Sequence, residues 1–536
     1  MKSDFLSPED RQSQLHWQIM LILLGLIVWG GWLRIYALDF QSFWIDESYS
    51  ALAAEKTAES GVPEFDSGRY YSRSKPHIYL RALCYRISGK SVFALRLPSA
   101  VLGTAMIALS FWGVLILFRR WPMALIAAVL VCCNYYEIAW SRQVRMYMEL
   151  QFFFALAFLL GYLSLSRRKF DFIFVIAMLS IVLTTLVHKT GILIAVPLFF
   201  LALTDEEKQV GRKWFITVLL FASCLPAFVF LTAFSGGAGR GDGQFFLNLN
   251  SLGQAKVHLW HYLNFLMRNY TVIVIPALIA MVNGIFRRDR ILLVLSLSVW
   301  TFLILISFYQ TVSMRAIFVF VPFLVFLAAN GYGVAARFLA GICLNNRSAK
   351  RELPFAGLVL AFAVLSASTI SSQQTVFVPQ KEYYLEFDPA YSVLNRWDYT
   401  PQPDFKEAYN FVRANLQEGD VVLAAHTAMH HWYLPDTQAY WLGFLFIYDA
   451  RRSSFFFMDE EGKQVEGYMG YPVIENKNDL EDVLNQQHGF VLVDHFSVSA
   501  KREAGILEYL EKRAPVVFED QAHPERKWTK IWVGRF

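Results

Sequence analysis

Apolar stretches close to the roughly 20 residues needed to cross a bilayer recur along this chain and restrict its backbone more than any other feature. Lipid offers no partner to peptide N–H and C=O groups, so such stretches must satisfy them internally, as helices do. Helices are predicted at about 17–38, 93–118, 122–138, 148–165, 170–187, 190–203, 214–234, 270–286, 291–309, 316–336 and 353–371, about 11 in all. Two, 122–138 and 190–203, are short and would span only where the bilayer thins or neighbours shield them. With 55% hydrophobic and 17% charged residues in 536, the chain reads as a polytopic membrane protein with a polar appendage. The first run is too long and aromatic for a signal-peptide core and lacks a small-residue cleavage site, so it reads as an uncleaved helix. Cys84, Cys132, Cys133, Cys224 and Cys343 show no metal-type spacing and no disulfide framework.

Charge in the connections orients the chain. Arg119-Arg120, Arg167-Arg168-Lys169, Lys208 with Arg212-Lys213, Arg287-Arg288 with Arg290, and Arg347 with Lys350-Arg351 share one face, which is then cytoplasmic. The other face should carry few cations, yet Arg142, Arg145, Lys189, Arg268 and Arg315 lie there, one or two per short connection. Snorkelling to headgroups accounts for any one of them. Four connections delivering cations to one face suggest an anion site at the outer interface. The net charge of +5 is modest, and no nucleic-acid partner is expected.

On that same face, just after the first helix, stands Phe43-Trp44-Ile45-Asp46-Glu47-Ser48-Tyr49. Two carboxylates beside lipid are costly unless solvated, paired or used. Read blandly, Asp46 caps a helix to Glu59 and Glu47 favours its first turn. The first outer loop, 39–92, holds two candidate interfacial helices, Asp46–Ser60 and Pro76–Ser88, around a polar turn at Gly61–Ser74. In the second, Ile78, Leu83 and Ile87 are expected against the membrane, and Arg81 and Arg86 in polar surroundings. A second outer segment, 235–269, reads as a mobile flap; its glycine-rich start lacks the Gly-Lys-Ser/Thr ending of a nucleotide loop. From about Gln373 the composition turns soluble. Strands at Gly419–Ala425, Phe490–Asp494, Ala514–Phe518 and Lys530–Val533, with helices at Pro403–Leu416, Leu480–Gln486 and Ser499–Arg513, predict a small α/β domain. The expected domains are thus 1–372 in the membrane and 373–536 outside the cytoplasm.

These residues carry a resemblance. Ile45-Asp46-Glu47 is similar to the acidic motif in the first outer loop of the GT-C superfamily of membrane glycosyltransferases, more closely the protein O-mannosyltransferase and lipid A aminoarabinose transferase group and related bacterial enzymes. Ser74-Lys75-Pro76-His77-Ile78-Tyr79 resembles that group's Lys-Pro-Pro-Leu-Tyr stretch, with His77 replacing the second proline. Ser141-Arg142-Gln143-Val144-Arg145-Met146-Tyr147 resembles its Arg-x-x-Arg-x-Tyr connection. His188-Lys189-Thr190-Gly191, and Arg315 before Val321-Pro322, fall where similar sequences carry lysine–glycine and arginine–proline features.

The resemblance implies a GT-C-like enzyme of a bacterial-type inner membrane that moves a hexosyl or pentosyl group from a polyprenyl-phosphate donor to an acceptor hydroxyl on the outer side. Protein, glycolipid and polysaccharide acceptors all stay open. Phosphate is a good leaving group that gains more from fixed cations than from a general acid, so one general base suffices. Asp46 is expected in that role, with inversion, and Glu47 is expected to orient or assist. Lys75, Arg142, Arg145, Lys189 and Arg315 are the candidates for donor phosphate; His77, Tyr79, Tyr147 and His188 are candidate substrate contacts. No cofactor is required, although a divalent metal stays open at His426, His430 and His431 or at Asp46 and Glu47. Two other classes are kept: a transporter or flippase, whose charges would sit near the midplane on broken helices, and a membrane scaffold with a partner-binding soluble domain.

Overall fold

A computed structural model describes residues 8–167, 171–204, 252–309, 312–343, 375–383, 404–442, 456–458, 462–494, 506–519 and 531–536. The first helix, α1 (Pro8–Ile35), is followed by the two helices of the first outer loop, α2 (Ile45–Ser60) and α3 (Lys75–Ser88). Both start within one residue of their predicted positions. Next come α4 (Val92–Phe118), α5 (Trp121–Cys133), α6 (Tyr135–Ser141), α7 (Tyr147–Arg167), α8 (Phe172–Val187), a 3-10 turn (Lys189–Ile194) and α9 (Ala195–Leu203). After the next described break lie α10 (Leu252–Asn269), α11 (Thr271–Arg287), α12 (Arg290–Ser307), the single turn α13 (Arg315–Phe318) and α14 (Val321–Cys343).

Five of these are long and apolar enough to cross a membrane: Trp17–Ile35, α4, α7, α12 and Val321–Leu339. The α10–α11 pair, bent by 112°, makes a sixth if it is one broken span. The chain is therefore a multi-pass membrane protein. The spans predicted at 214–234 and 353–371 lie outside the described residues.

Two expectations are corrected. The run at 122–138 is not one helix: Asn134 takes an extended backbone and its side chain accepts the Glu137 N–H, so the chain stops and restarts as α6. Of the expected flap, 252–269 is helical, with Tyr262, Phe265 and Leu266 buried on one face and Leu252, Val257 and Trp260 exposed on the other; 235–251 is not among the described residues. Apolar spacing of i, i+3 and i+4 drives this helix.

α11 and α14 pack closely against each other. Pro276 has no N–H to give Val272, and Tyr332 of α14 donates its hydroxyl to the Val272 carbonyl instead, at 2.9 Å. A Cβ on Gly331 would lie 1.8 Å from the Pro276 oxygen. Gly331→Ala is accordingly expected to cost about 1–3 kcal/mol, read as a lower melting temperature in detergent; an unchanged value would contradict this packing.

The C-terminal part contains α15 (Phe405–Asn415), β1 (Val421–Ala424), α16 (Thr427–Tyr433), β2 (Ala439–Trp441), β3 (Phe456–Met458), β4 (Gln464–Glu466), α17 (Lys477–Gln486), β5 (Gly489–Asp494), α18 (Ile506–Arg513), β6 (Val516–Glu519) and β7 (Ile531–Arg535). The main sheet has the order β2-β1-β5-β7-β6; β2, β1 and β5 run parallel, and β7 is antiparallel to β5 and β6. β1 and, up to its terminal Asp494, β5 carry no polar side chain because both faces are covered. Leu423, Val491 and Val493 pack with α17 and α18. Val422, Ala424, Phe490 and Leu492 share a core with Phe43, Ala51, Leu52, Phe65 and Ile78 of the first outer loop. Loop and sheet are one packed body, joined also by Phe43 against Trp432 at 5.1 Å.

Candidate active site

The segment 142–151, from the end of α6 into α7, holds the surrounding elements together. Arg142 donates to the carbonyls of Arg34, Tyr36 and Ala37 at 3.0, 2.7 and 2.9 Å, and to that of Lys381 at 3.2 Å. Three of the four terminal guanidinium hydrogens thereby pin the end of α1, and the fourth ties in Lys381. Arg142, a candidate for donor phosphate, clamps backbone here, because the end of α1 and the chain leaving it present carbonyls within its reach. Next, the Val144 N–H donates to Glu47 Oε1 at 2.7 Å. Arg145 then donates to the Asp46 carbonyl at 2.9 Å and lies 3.2 Å from Asp46 Oδ2.

Asp46 has a second partner. Arg315 Nη1, on α13, lies 2.8 Å from the same Oδ2 and 3.5 Å from the Tyr147 hydroxyl. Trp44 lies under both guanidinium groups, at 5.7 Å from Arg145 and 5.1 Å from Arg315, a favourable cation–π arrangement. Burial alone would raise the Asp46 carboxyl, but Arg145, Arg315 and Arg73 outweigh it and hold the group at about 2. The carboxyl keeps about a quarter of its surface exposed, so it faces an opening.

Glu47, its neighbour, does not. Its oxygens receive Arg96 Nε at 3.0 Å and Nη2 at 2.8 Å, and the same arginine donates to the carbonyls of Leu38, Gln41 and Ser42. With the Val144 N–H added, both oxygens of the carboxylate are matched.

His77, Glu149 and Arg81 form a second buried set. His77 Nδ1 lies 3.0 Å from Glu149 Oε1, which also takes Arg81 Nη2 at 2.5 Å, and Arg81 donates to Ser99 at 2.6 Å. Burial, with help from Arg81, keeps His77 neutral, near 4. Arg81 and Ile78 are thus fully buried, against the expected polar and membrane-facing surroundings, because Glu149 inside an apolar run requires a cation. Leu83 and Ile87 are exposed, as expected.

The remaining candidates are dispersed. Lys75 lies over the Tyr70 ring at 5.5 Å, and Tyr79 donates to the Gly61 carbonyl at 3.2 Å. His188 bonds Thr190 at 2.8 Å with its ring 5.8 Å from that of Tyr147, and Lys189 is exposed beside it. The histidines proposed for metal diverge: His426 bonds Asp494 at 3.0 Å, His430 the Thr437 carbonyl at 2.9 Å, and His431 the Tyr471 hydroxyl at 3.2 Å. His426 has φ −127°, ψ 97° and precedes the helix, so it does not share a helical face with His430. Among the described residues no group of three or more His, Cys, Asp or Glu could hold a metal.

One cation was missed. Arg73, exposed at the end of the polar turn, is close enough to lower the Asp46 carboxyl, and it makes no hydrogen bond or ion pair to any described residue. Its only sequence signal is its place two residues before Lys75. Since Glu47 is matched by Arg96 and Glu149 by Arg81, Asp46 is the one carboxylate among the described residues that faces Arg145, Arg315 and Arg73. That leaves an excess of positive charge around an opening.

The fold is shared with the solved structures of ArnT and of the archaeal oligosaccharyltransferase AglB. ArnT from Cupriavidus metallidurans in the apo state has a TM-score of 0.60 at 12% identity, over 98% of each chain. The same protein bound to undecaprenyl phosphate has a TM-score of 0.59 at 13% identity, over 97% of this chain and 98% of that one. The oligosaccharyltransferase AglB from Archaeoglobus fulgidus, in complex with an inhibitory peptide and a dolichol-phosphate, has a TM-score of 0.51 at 15% identity, over 96% and 74%. No protein-family model and no curated protein matches the sequence.

Proposed function

We propose that this chain is an inner-membrane glycosyltransferase that moves a sugar from a polyprenyl-phosphate donor to an acceptor hydroxyl at the extracytoplasmic face, where residues 373–536 also lie. The observation that carries this reading is one half-open carboxylate, Asp46, held by Arg145 and Arg315 from distant segments with Arg73 beside it. ArnT and AglB, which share the fold, have been solved with undecaprenyl phosphate and dolichol-phosphate, and this supports a donor of that class.

In the reaction the acceptor oxygen attacks the anomeric carbon from the face opposite the leaving group, giving inversion. The bond from that carbon to the phosphate oxygen breaks, its electron pair stays on the phosphate, and the acceptor proton passes to Asp46. Arg145, Arg315 and Arg73 stabilise charge that grows on the leaving phosphate, with Lys75 and Lys189 as further cations on the same side. Tyr147 and His188 line the same region; Glu47 acts through position.

Binding of undecaprenyl phosphate to the purified chain tests the reading. Arg73→Ala should weaken binding about tenfold, the scale of one lost hydrogen bond between charged groups, with a steep loss in high salt. Failure of the unaltered chain to bind any polyprenyl phosphate would sink the proposal.

A further inference from the structure

The contact between Arg315 and Asp46 depends on a short segment that leads into α14, with Ile317 and Phe318 buried and the Phe320 N–H donating to the Ile317 carbonyl. α13 is one helical turn, far below the length at which helices are self-supporting, and it carries Arg315 at its first residue. Two side chains fasten the strand around it. On the upstream side the Ser313 N–H donates to the Tyr262 hydroxyl of α10 at 3.1 Å. On the downstream side Gln151 Nε2 donates to the Phe318 carbonyl at 3.0 Å. The same nitrogen donates its other hydrogen to Glu137 Oε1 at 2.8 Å, and Glu137 is itself oriented by the Asn134 cap at the break between α5 and α6. Gln151, Glu137 and Phe318 are buried.

We infer that Gln151, oriented by Glu137, is a positioning residue for transfer: it fixes α13 so that Arg315 reaches Asp46 and the donor phosphate. The inference rests on the functional reading above but concerns residues that touch no substrate. The amide orientation follows from its partners, since only the nitrogen end can donate to the Phe318 carbonyl. Gln151 also lies one turn along the helix whose start supplies Tyr147 to Arg315 and Glu149 to Arg81 and His77. One rigid helix thereby sets both arms of the site, α3 on one side and α13 on the other. Buried polar groups in a membrane bundle are retained only where they are satisfied or used, and this chain of two hydrogen bonds satisfies a carbonyl in the turn that bears a site cation.

The test is a double-mutant cycle on undecaprenyl phosphate binding by the full chain, with Gln151→Leu, Arg315→Ala and the pair. If Gln151 acts through Arg315, the double variant binds no more weakly than Arg315→Ala, within about twofold, whereas pairing Gln151→Leu with Arg73→Ala gives effects that multiply. Transfer should fall roughly 10²-fold in Gln151→Leu, the scale of a 1 Å misplacement. Glu137→Gln, which keeps the acceptor oxygen, should retain binding, and Glu137→Leu should weaken it no further than Gln151→Leu does. Multiplying effects of Gln151→Leu and Arg315→Ala would overturn the inference. Should Gln151→Leu fail to survive purification, Gln151→Asn, too short to reach both partners, enters the same cycle. If the unaltered chain binds no polyprenyl phosphate, the functional reading fails, and a structure of the Gln151 variant decides positioning separately: an unmoved contact between Arg315 and Asp46 refutes it.

Discussion

Asp46→Asn should abolish sugar transfer, with a loss of at least about 10²- to 10⁴-fold, the contribution of a positioned general base, while polyprenyl phosphate still binds. Binding should tighten if anything, because the substitution removes a negative charge that competes for Arg145 and Arg315. A transporter would lose flux instead, and a scaffold would be indifferent. The pH behaviour follows from the same pairing. In the free chain the three arginines hold the Asp46 carboxyl at about 2, below its ordinary value, so the base form persists as pH falls until that region is reached. A bound phosphate draws the same guanidinium groups toward itself, and the carboxyl must then rise. The acid limb of kcat, which reports the complex, should therefore lie at higher pH than that of kcat/KM, which reports the free protein. Identical limbs would mean that donor and Asp46 do not share their cations. A carboxylate with too low a pKa is a weak base; loosening its arginines only when the donor arrives would make it stronger at the moment of use.

The second large effect is on stability. Arg96→Met should destabilise the chain by about 3–5 kcal/mol, since it leaves the Glu47 carboxylate buried without a counter-charge. It also frees the three carbonyls of residues 38, 41 and 42 that Arg96 gathers. The paired variant Glu47→Leu/Arg96→Met should recover part of the loss, because the buried charge is then gone. Denaturation in detergent reads both. If Arg96→Met melts like the unaltered chain, Glu47 is not the buried anchor described above.

Much of the architecture is legible in the sequence. Apolar run length finds the long spans, and amphipathic spacing finds α2 and α3 almost to the residue. Placing Asp46, Arg145 and Arg315 on one face anticipates that they meet, because each sits at the end of an apolar segment and the ends share a level. What a one-dimensional reading misses is whether a charge is already matched. Arg142 and Arg145 look equivalent three residues apart, yet one finds the carbonyls leaving α1 and the other finds a carboxylate. Glu149, Gln151 and Glu137 lie in or beside apolar runs, where their partners come from other helices and nothing local announces them. Arg73 sits in a polar turn that reads as a connector. The break at Asn134 is hidden because a cap in mid-membrane resembles a polar residue in a continuous helix. His426 and His430 have helical spacing, but helical spacing implies a shared face only where the first residue is already in the helix.

The core shared by the first outer loop and the C-terminal sheet has a consequence for biosynthesis. Phe43, Ala51, Leu52 and Phe65 leave the ribosome more than 300 residues ahead of Phe405, Val422 and Phe490, with which they pack. Until translation finishes, the loop carrying Asp46 lacks the surface that closes over it, and such long-range closure is slow and prone to misassembly. A nascent or truncated chain would therefore insert its spans yet stay inert, so that activity switches on only with completion of the polypeptide.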